Sequence, residues 1–302
     1  MTLSRLKRVL KIMIITTISL GIIGIIAIEE FALPYMPISP MKRTSHLTPN
    51  DFAMRSDTLA IAVENGLILR GYFLHANLLR PKGTIIMVHG IGGFKEGFLG
   101  YSKILVDNGF NVILYDQRGH GKSDGKYCTF GFYEKHDISK FVDIAETKFP
   151  KLPVGIHGSS LGGAVALQAL AIEKRLRFGI VESTFHRLED IVMEYGQDYF
   201  KFKSRWLAQR VLSKSALIAN YKPFDVKPIE AAAQIEQPML VIHGDKDTKI
   251  PIAFNQENYA ALRSQDKEFY TVHGAGHLDV GSVGGAVYLS KVIAFFDKHC
   301  AY

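Results

Sequence analysis

Cysteine and clustered metal ligands are scarce in this sequence, which limits how the chain can be stabilised or equipped. Its 302 residues include two cysteines, Cys128 and Cys300, too few for a disulfide framework or a zinc site. We predict two free thiols, with Cys128 in a loop above a sheet and Cys300 at the end of a helix running back beneath it. Since His, Cys, Asp and Glu nowhere cluster at metal-ligand spacing, we expect neither a metal nor another cofactor.

A strong charge imbalance is missing too. The formal net charge is +7, and six basic against two acidic residues among the first 50 account for +4 of it. The small excess over the rest of the chain is not a nucleic-acid footprint, and no basic stripe carries interleaved aromatic residues. We therefore expect no nucleic-acid partner. Apolar residues make up 47% of the chain, enough for a substantial core.

One long uncharged apolar run stands at the N-terminus. The largely apolar residues 9–28 would span roughly 30 Å as a helix, the thickness of a hydrocarbon core. Basic residues before the run and two glutamates after it place the N-terminus in the cytoplasm and the rest outside. We predict a single-pass signal-anchor over residues 1–30, with the globular part on the periplasmic or extracytoplasmic side. A cleaved signal peptide is the main alternative and a buried core helix a weaker one, but no small-x-small cleavage site stands out.

Strand and helix patterns alternate from residue 57 to the end, after a proline-containing stretch, residues 31–56, that predicts an extended linker. Short apolar strands alternating with helices are typical of a mostly parallel sheet covered on both faces. The first two strands join it as a hairpin near Asn65 and Gly66. The predicted strands are residues 57–63, 67–73, 84–88, 111–115, 154–156, 178–181, 239–242 and 267–272.

An insert at about residues 185–237 interrupts this alternation within the predicted domain, residues 57–302. Its pattern is helical, and it falls between two sheet strands. At the carboxyl edge of the sheet it would form a small helical cap. We interpret most of its aromatic residues as the core of the cap and a minority as lining for a substrate pocket.

The pattern G-x-S-x-G at residues 158–162 is centred on Ser160. An apolar strand precedes it and an apolar helical pattern follows it, which is the context that marks a nucleophilic serine. Gly158 and Gly162 keep bulk away from such a sharp turn. Alone, the pattern is equally compatible with a glycine-rich turn that carries an incidental serine.

A serine nucleophile needs a base, and that base needs an acid to orient it. Two later loops supply both in the order serine, acid, histidine. We predict His277 as the base and Asp247 as the acid, because both follow carboxyl ends of strands on the edge that carries Ser160. Two other histidines, His157 and His273, are interpreted as structural. Asp245 and Glu182 are the less favoured alternatives for the acid.

The loop His-Gly-Ile-Gly-Gly at residues 89–93 follows the first parallel strand. Its glycines let the backbone approach a reacting carbonyl, so we predict the N–H groups of Ile91 and Leu161 as an oxyanion hole. The alternative, a phosphate-binding loop, fits neither the P-loop nor the dinucleotide pattern.

Five motifs in this order resemble those of the α/β-hydrolase superfamily: residues 89–93, D-x-R-G-H-G-x-S at 116–123, and residues 158–163, 244–247 and 276–277. The resemblance covers about residues 57–300. It implies the α/β-hydrolase fold, an eight-stranded mostly parallel sheet with helices on both faces and a small helical cap, here after one transmembrane helix. It also implies a catalytic triad of Ser160, Asp247 and His277. Residues 116–123 are similar to the serine aminopeptidase, lysophospholipase and monoacylglycerol-lipase-like branch, and residues 129–137 and 276–279 to membrane-anchored bacterial hydrolases.

These features together predict a serine hydrolase that cleaves a carboxylic ester or thioester through an acyl-enzyme on Ser160. The expected substrate is a small-molecule or lipid-like acyl compound. An amidase or peptidase using the same triad is the alternative within enzymes. The alternative from another class is a non-catalytic binding protein on the same fold.

Overall fold

An eight-stranded sheet forms the centre of the computed structural model, which describes residues 3–300. The strand order is β1-β2-β4-β3-β5-β6-β7-β8. The strands are β1 Ser56–Ala62, β2 Ile68–Leu74, β3 Gly83–Val88, β4 Phe110–Tyr115, β5 Val154–Ser159, β6 Leu176–Glu182, β7 Met239–Gly244 and β8 Lys267–Val272. The first and last two residues, included in the predicted anchor and domain, lie outside the described residues.

The pairing of the strands confirms the prediction of a mostly parallel sheet. Only β1–β2 and β2–β4 pair antiparallel, and the remaining pairs are parallel. Every residue of β3, β4 and β7 is buried, which agrees with their predominantly apolar sequences. The β1–β2 connection is a 3₁₀ turn, Glu64–Gly66, in which Gly66 has a φ of +69°.

Helices cover both faces of the sheet, and two further helices, α1 and α2, precede it in the described part of the chain. The described helices are α1 Leu3–Phe31, α2 Tyr35–Ile38, α3 Leu99–Asp107, α4 Glu134–Lys148, α5 Leu161–Ile172, α6 Leu188–Phe200, α7 Arg205–Ala219, α8 Pro228–Ala232, α9 Ile252–Ala261 and α10 Val280–Cys300. The apolar sides of α3 and α10 pack on one face of the sheet, and those of α4, α5, α8 and α9 on the other. Both cysteines are free and buried.

The insert between β6 and β7 divides into two parts. Helices α6 and α7 pack on each other, and α8 packs against α5 in the layer that covers the sheet. Ala232 of α8 is completely buried there. The part with the geometry of a cap is therefore α6 and α7, which is shorter than the predicted insert.

Two helices among the described residues are long and apolar enough to cross a membrane, α1 and α10. Helix α10 buries Val292 and Phe296 against the sheet and is a core helix. The apolar window of α1 buries none of its residues. Its length and composition are compatible with a membrane anchor or a signal sequence.

The segment between α1 and β1 differs from the predicted extended linker. It contains α2 and a 3₁₀ turn, Pro49–Phe52. Ile38 and Met54 are buried and belong to the apolar clusters on opposite faces of the sheet. The prolines indicated an extended segment, but they carried no information about these two apolar residues, which are stabilised by packing on the domain.

Candidate active site

The turn between β5 and α5 places Ser160 in an unusual backbone conformation. Its φ is +55° and its ψ is −119°, a region that residues other than glycine rarely adopt. A Cβ atom on Gly158 would lie 2.1 Å from the carbonyl oxygen of Gly162, and one on Gly162 would lie 2.0 Å from that of Val88. The turn is so tight that backbone atoms occupy the space that side chains at positions 158 and 162 would need, so both positions require glycine.

The loops after β7 and β8 bring Asp247 and His277 to Ser160. His277 Nε2 lies 2.9 Å from Ser160 Oγ, and His277 Nδ1 lies 2.8 Å from Asp247 Oδ2. A carboxylate only accepts hydrogen bonds, so Nδ1–H donates to Asp247 and Nε2 accepts from the serine hydroxyl. A continuous hydrogen-bond chain thus joins the three side chains that the sequence singled out.

Asp247 is fully buried but surrounded by donors. Its Oδ1 accepts from the backbone N–H groups of Lys249 at 2.8 Å and Ile250 at 2.9 Å, and its Oδ2 lies 3.2 Å from His243 Nε2. Burial acts to raise the pKa of Asp247, but hydrogen bonds from His243 and His277 outweigh it and keep the pKa well below its usual range. Asp247 is therefore an anion at neutral pH.

His243 was missed by sequence reasoning, although it stands four residues before Asp247. It is the second-last residue of β7 and is fully buried. Its Nε2 lies 3.0 Å from the carbonyl oxygen of Ile250 as well as near Asp247. The sequence signal that could have indicated this contact is a histidine at the end of an apolar strand, just before a turn that contains two aspartates.

The alternative acids and histidines lie elsewhere. Asp245 bonds His273 at 3.0 Å on the surface, where the side chain of His273 is 85% exposed. Glu182 accepts from the hydroxyl of Tyr288 at 2.7 Å, and burial raises its pKa. His157 is buried, and burial lowers its pKa to about 3. Of the candidate acids, only Asp247 hydrogen-bonds His277 within the described residues.

The loop after β3 approaches Ser160 closely. A Cβ atom on Gly90 would lie 3.2 Å from Ser160 Cβ. Within residues 3–300, the backbone N–H groups of Ile91 and Leu161 donate to no protein acceptor. Leu161 is the first residue of α5, where the helix dipole favours negative charge. Both predicted oxyanion donors are thus available to a ligand.

His89 ties this loop to the one after β4. Its Nδ1–H donates to the carbonyl of Gly90 at 2.8 Å, and its Nε2 accepts the backbone N–H of Gln117 at 3.1 Å. Burial is the main cause that lowers the pKa of His89, and the nearby His120 adds to it, so that the pKa is about 3. The ring therefore stays neutral and keeps its acceptor nitrogen.

The D-x-R-G-H-G-x-S stretch, residues 116–123, is joined by buried ion pairs to the segment that follows residues 89–93 and to α4. Asp116 accepts from the backbone and the ammonium of Lys95 at 2.7 and 2.6 Å. Arg118 makes a buried bidentate pair with Asp137 at 2.6 and 2.7 Å. Burial raises the pKa of Asp137 to about 6, although the guanidinium opposes the shift. Buried charges of this kind are tolerated because they are paired.

A cavity of about 600 Å³ opens beside Ser160, a volume typical of small-molecule sites. Its walls come from the loop at residues 89–93, from α6 and α7, and from the segment after α1. The lining is mainly apolar and includes aromatic residues of the insert, such as Tyr199 and Phe202. In the part of the chain that the structure describes, no group of three His, Cys, Asp or Glu side chains is placed to hold a metal.

Known proteins share this architecture. A family model described as "Serine aminopeptidase, S33" matches residues 80–225. The uncharacterized protein YqkD of Bacillus subtilis is 28% identical over 248 residues, which cover 81% of this chain and 80% of that protein. The esterase Pf2001 of Pyrococcus furiosus is similar in structure, with a TM-score of 0.74, 25% identity, and coverage of 87% of this chain and 98% of that chain. An acylaminoacyl peptidase of Pyrococcus horikoshii has a TM-score of 0.62 at 17% identity, covering 82% of this chain and 42% of that chain.

The contact at the Ser160 turn generates a stability prediction. Gly162→Ala would push a methyl group into the Val88 carbonyl, so we expect the free energy of unfolding to fall by about 2–3 kcal/mol. The matched control is Gly100→Ala in α3, where the nearest atom is 3.8 Å away and we expect a change within about 0.5 kcal/mol. Urea unfolding of the full chain in detergent measures both. Equal stabilities of the two variants would contradict the close contact.

Proposed function

The chain belongs to the α/β-hydrolase superfamily, and we propose that it is a serine hydrolase that cleaves a carboxylic ester or thioester. The observation that carries the proposal is the hydrogen-bond chain from Asp247 through His277 to Ser160. It is supported by the strained turn at Ser160 and by the backbone N–H groups of Ile91 and Leu161, which have no protein acceptor among the described residues. The cavity beside Ser160, of about 600 Å³ and mainly apolar, supports a small-molecule or lipid-like acyl substrate.

In the proposed mechanism, Ser160 Oγ attacks the acyl carbon while His277 Nε2 takes its proton. The charge on the imidazolium is stabilised by the anionic Asp247. The N–H groups of Ile91 and Leu161 stabilise the oxyanion of the tetrahedral intermediate. His277 then protonates the leaving alkoxide or thiolate, and an acyl-enzyme forms. Water then attacks the acyl carbon while His277 takes its proton. His277 returns that proton to Ser160 Oγ as the bond from the acyl carbon to Oγ breaks, which releases the acid and restores Ser160.

Amide cleavage is the second candidate, since the matching family model is described as a serine aminopeptidase. The same residues would act, but His277 must protonate a poorer leaving group before the C–N bond breaks. A non-catalytic binding protein would have no need of the Asp247–His277–Ser160 chain, and that geometry favours an enzyme. A panel of acyl esters, thioesters and aminoacyl amides ranks these reactions by kcat/KM.

We further propose that α1 is a single-pass anchor, in contact with the membrane through residues 9–28, and that the catalytic part lies on the extracytoplasmic side. Supporting this are the exposed apolar surface of α1 and the basic residues at its start.

Sodium carbonate extraction of membranes from cells producing the full chain tests the anchor. We expect the protein to stay in the membrane pellet with its N-terminus intact, because an apolar helix of this length is not released by loss of peripheral contacts. Recovery of a soluble protein beginning near residue 28 would instead identify a cleaved signal peptide.

Labelling with a fluorophosphonate probe tests the nucleophile. We expect the wild-type chain to be labelled at Ser160, and expect Ser160→Ala and His277→Ala to abolish the label, because attack on phosphorus needs both the hydroxyl and its base. Ser159→Ala is a matched control, since its hydroxyl bonds Glu182 at 3.4 Å and not His277. Labelling that persists in Ser160→Ala would exclude Ser160 as the nucleophile.

The two acids of the β7 loop provide a paired test. Asp247→Asn should lower kcat on an ester about 10⁴-fold, because an amide can donate to His277 and favour the wrong tautomer. Asp245→Asn should leave kcat near the wild-type value, since Asp245 contacts His273 on the surface. Steady-state kinetics of both variants on one substrate decide the point. Similar losses in the two variants would argue against Asp247 as the orienting acid.

A further inference from the structure

The segment that follows α1 is a built part of the cavity beside Ser160. Leu33, Met36 and Pro37 line the cavity together with the loop of Ile91. Helix α2 packs against α7, and its last residue, Ile38, is completely buried, with its carbonyl accepting the N–H of Cys128 at 2.9 Å. The segment is therefore positioned by contacts with both the cap and the domain.

The end of α1 is also held to the cap by charge. Arg210 of α7 contacts Glu29 through Nε and Glu30 through Nη2, the latter at 2.9 Å. Lys214, one turn further along α7, pairs with Glu30. Single exposed ion pairs stabilise little, but this network joins residues separated by 180 positions in the chain. The network holds the C-terminal end of α1 against α7.

Exposed aromatic residues line the cavity or lie next to residues that do; Tyr199, Phe200 and Phe202 are part of the lining. Tyr199, Phe200, Phe202 and Trp206 lie around the turn between α6 and α7, each more than half exposed. The guanidinium of Arg210, which pairs with the end of α1, lies 5.2 Å from the ring centre of Trp206. Aromatic and basic side chains together are typical of a membrane–water interface. The cavity mouth thus lies beside the point where an apolar helix leaves the domain.

We propose that Leu33, Met36 and Pro37 form one wall of a long acyl-chain site, so that the substrate is a long-chain ester or thioester drawn from the membrane that α1 enters. This rests on the proposed function, since the acyl carbonyl has to reach Ser160. The chain then lies between the segment after α1 and the cap. As far as the described residues go, the lining contains no acidic side chain and two basic ones, Arg43 and Lys249. Lys249 is paired with Asp198 at 2.8 Å, and the remaining lining is mainly apolar, which suits an apolar chain.

The test compares a short-chain and a long-chain ester, p-nitrophenyl butyrate and p-nitrophenyl palmitate, with the full chain in detergent micelles. Met36→Trp narrows the cavity from the segment after α1. We expect it to lower kcat/KM for the palmitate at least about tenfold and to leave that for the butyrate within about twofold. Met41→Trp is the matched control in the same segment: Met41 is 68% exposed and does not line the cavity, and neither ester should respond.

A second pair of variants tests the link between α1 and the cap. Arg210→Glu places a third acid beside Glu29 and Glu30 and should also lower kcat/KM for the palmitate selectively. Adding Glu30→Arg restores an opposite-charge pair between positions 210 and 30 and should recover part of the loss, although Lys214 then loses its partner. Fluorophosphonate labelling of Ser160 in every variant verifies that the active site is folded.

The outcomes separate the two proposals. Normal labelling and butyrate hydrolysis, with Met36→Trp behaving like Met41→Trp on palmitate, would overturn the role of the segment and leave the serine hydrolase intact. A wild-type chain that neither labels at Ser160 nor cleaves either ester would overturn the proposed function itself, and the acyl-chain site with it.

Discussion

The strained backbone at Ser160 is the constraint on which the active-site edge of this molecule depends. For a residue other than glycine, a backbone conformation with a φ of +55° costs of order 1–3 kcal/mol of folding free energy. It persists only where several surrounding contacts hold it. Here the N–H of Ser160 donates to the Glu182 carbonyl at 2.8 Å, and Thr184 Oγ1 donates to the Ser160 carbonyl at 2.8 Å. The end of β6 thus secures the turn from one side, and α5 secures it from the other.

Buried polar groups around the turn are oriented by partners and not by packing alone. Asp247 is satisfied by two backbone N–H groups and two histidines, and His89 links the loops after β3 and β4. Leaving any one of these groups unpartnered in the interior would be costly. The geometry around Ser160 is therefore a network in which each polar group limits the freedom of the next.

The cap and the segment after α1 pack on each other, and both line the cavity beside Ser160. Helix α8, which sequence placed in the insert, covers the sheet beside α5, while α6 and α7 stand over the cavity mouth. The ion pairs from α7 to the end of α1 couple the apolar helix to the cap. In the proposed arrangement, the helix that holds the domain at a membrane is also tied to the cap beside Ser160.

Local pattern was enough to predict the sheet, its mostly parallel pairing and the candidate residues at its carboxyl edge. Strand and helix periodicity depends on neighbouring residues, and loops after parallel strands meet at one edge whatever their length. Ser160, Asp247 and His277 could therefore be singled out with their order along the chain as the guide. The roles of these residues and of Ile91 and Leu161 stay predictions until the experiments above are made.

Tertiary structure alone decided which neighbours these residues contact. Asp245 and Asp247 stand two positions apart in the same loop, and only the folded chain directs one to His273 and the other to His277. The same holds for His243 beneath Asp247 and for Ile38, buried in a segment whose prolines indicated an extended linker. The sequence by itself determined the elements and their order, because these follow from local periodicity; the partners of each buried group were decided by contacts between residues far apart in the chain.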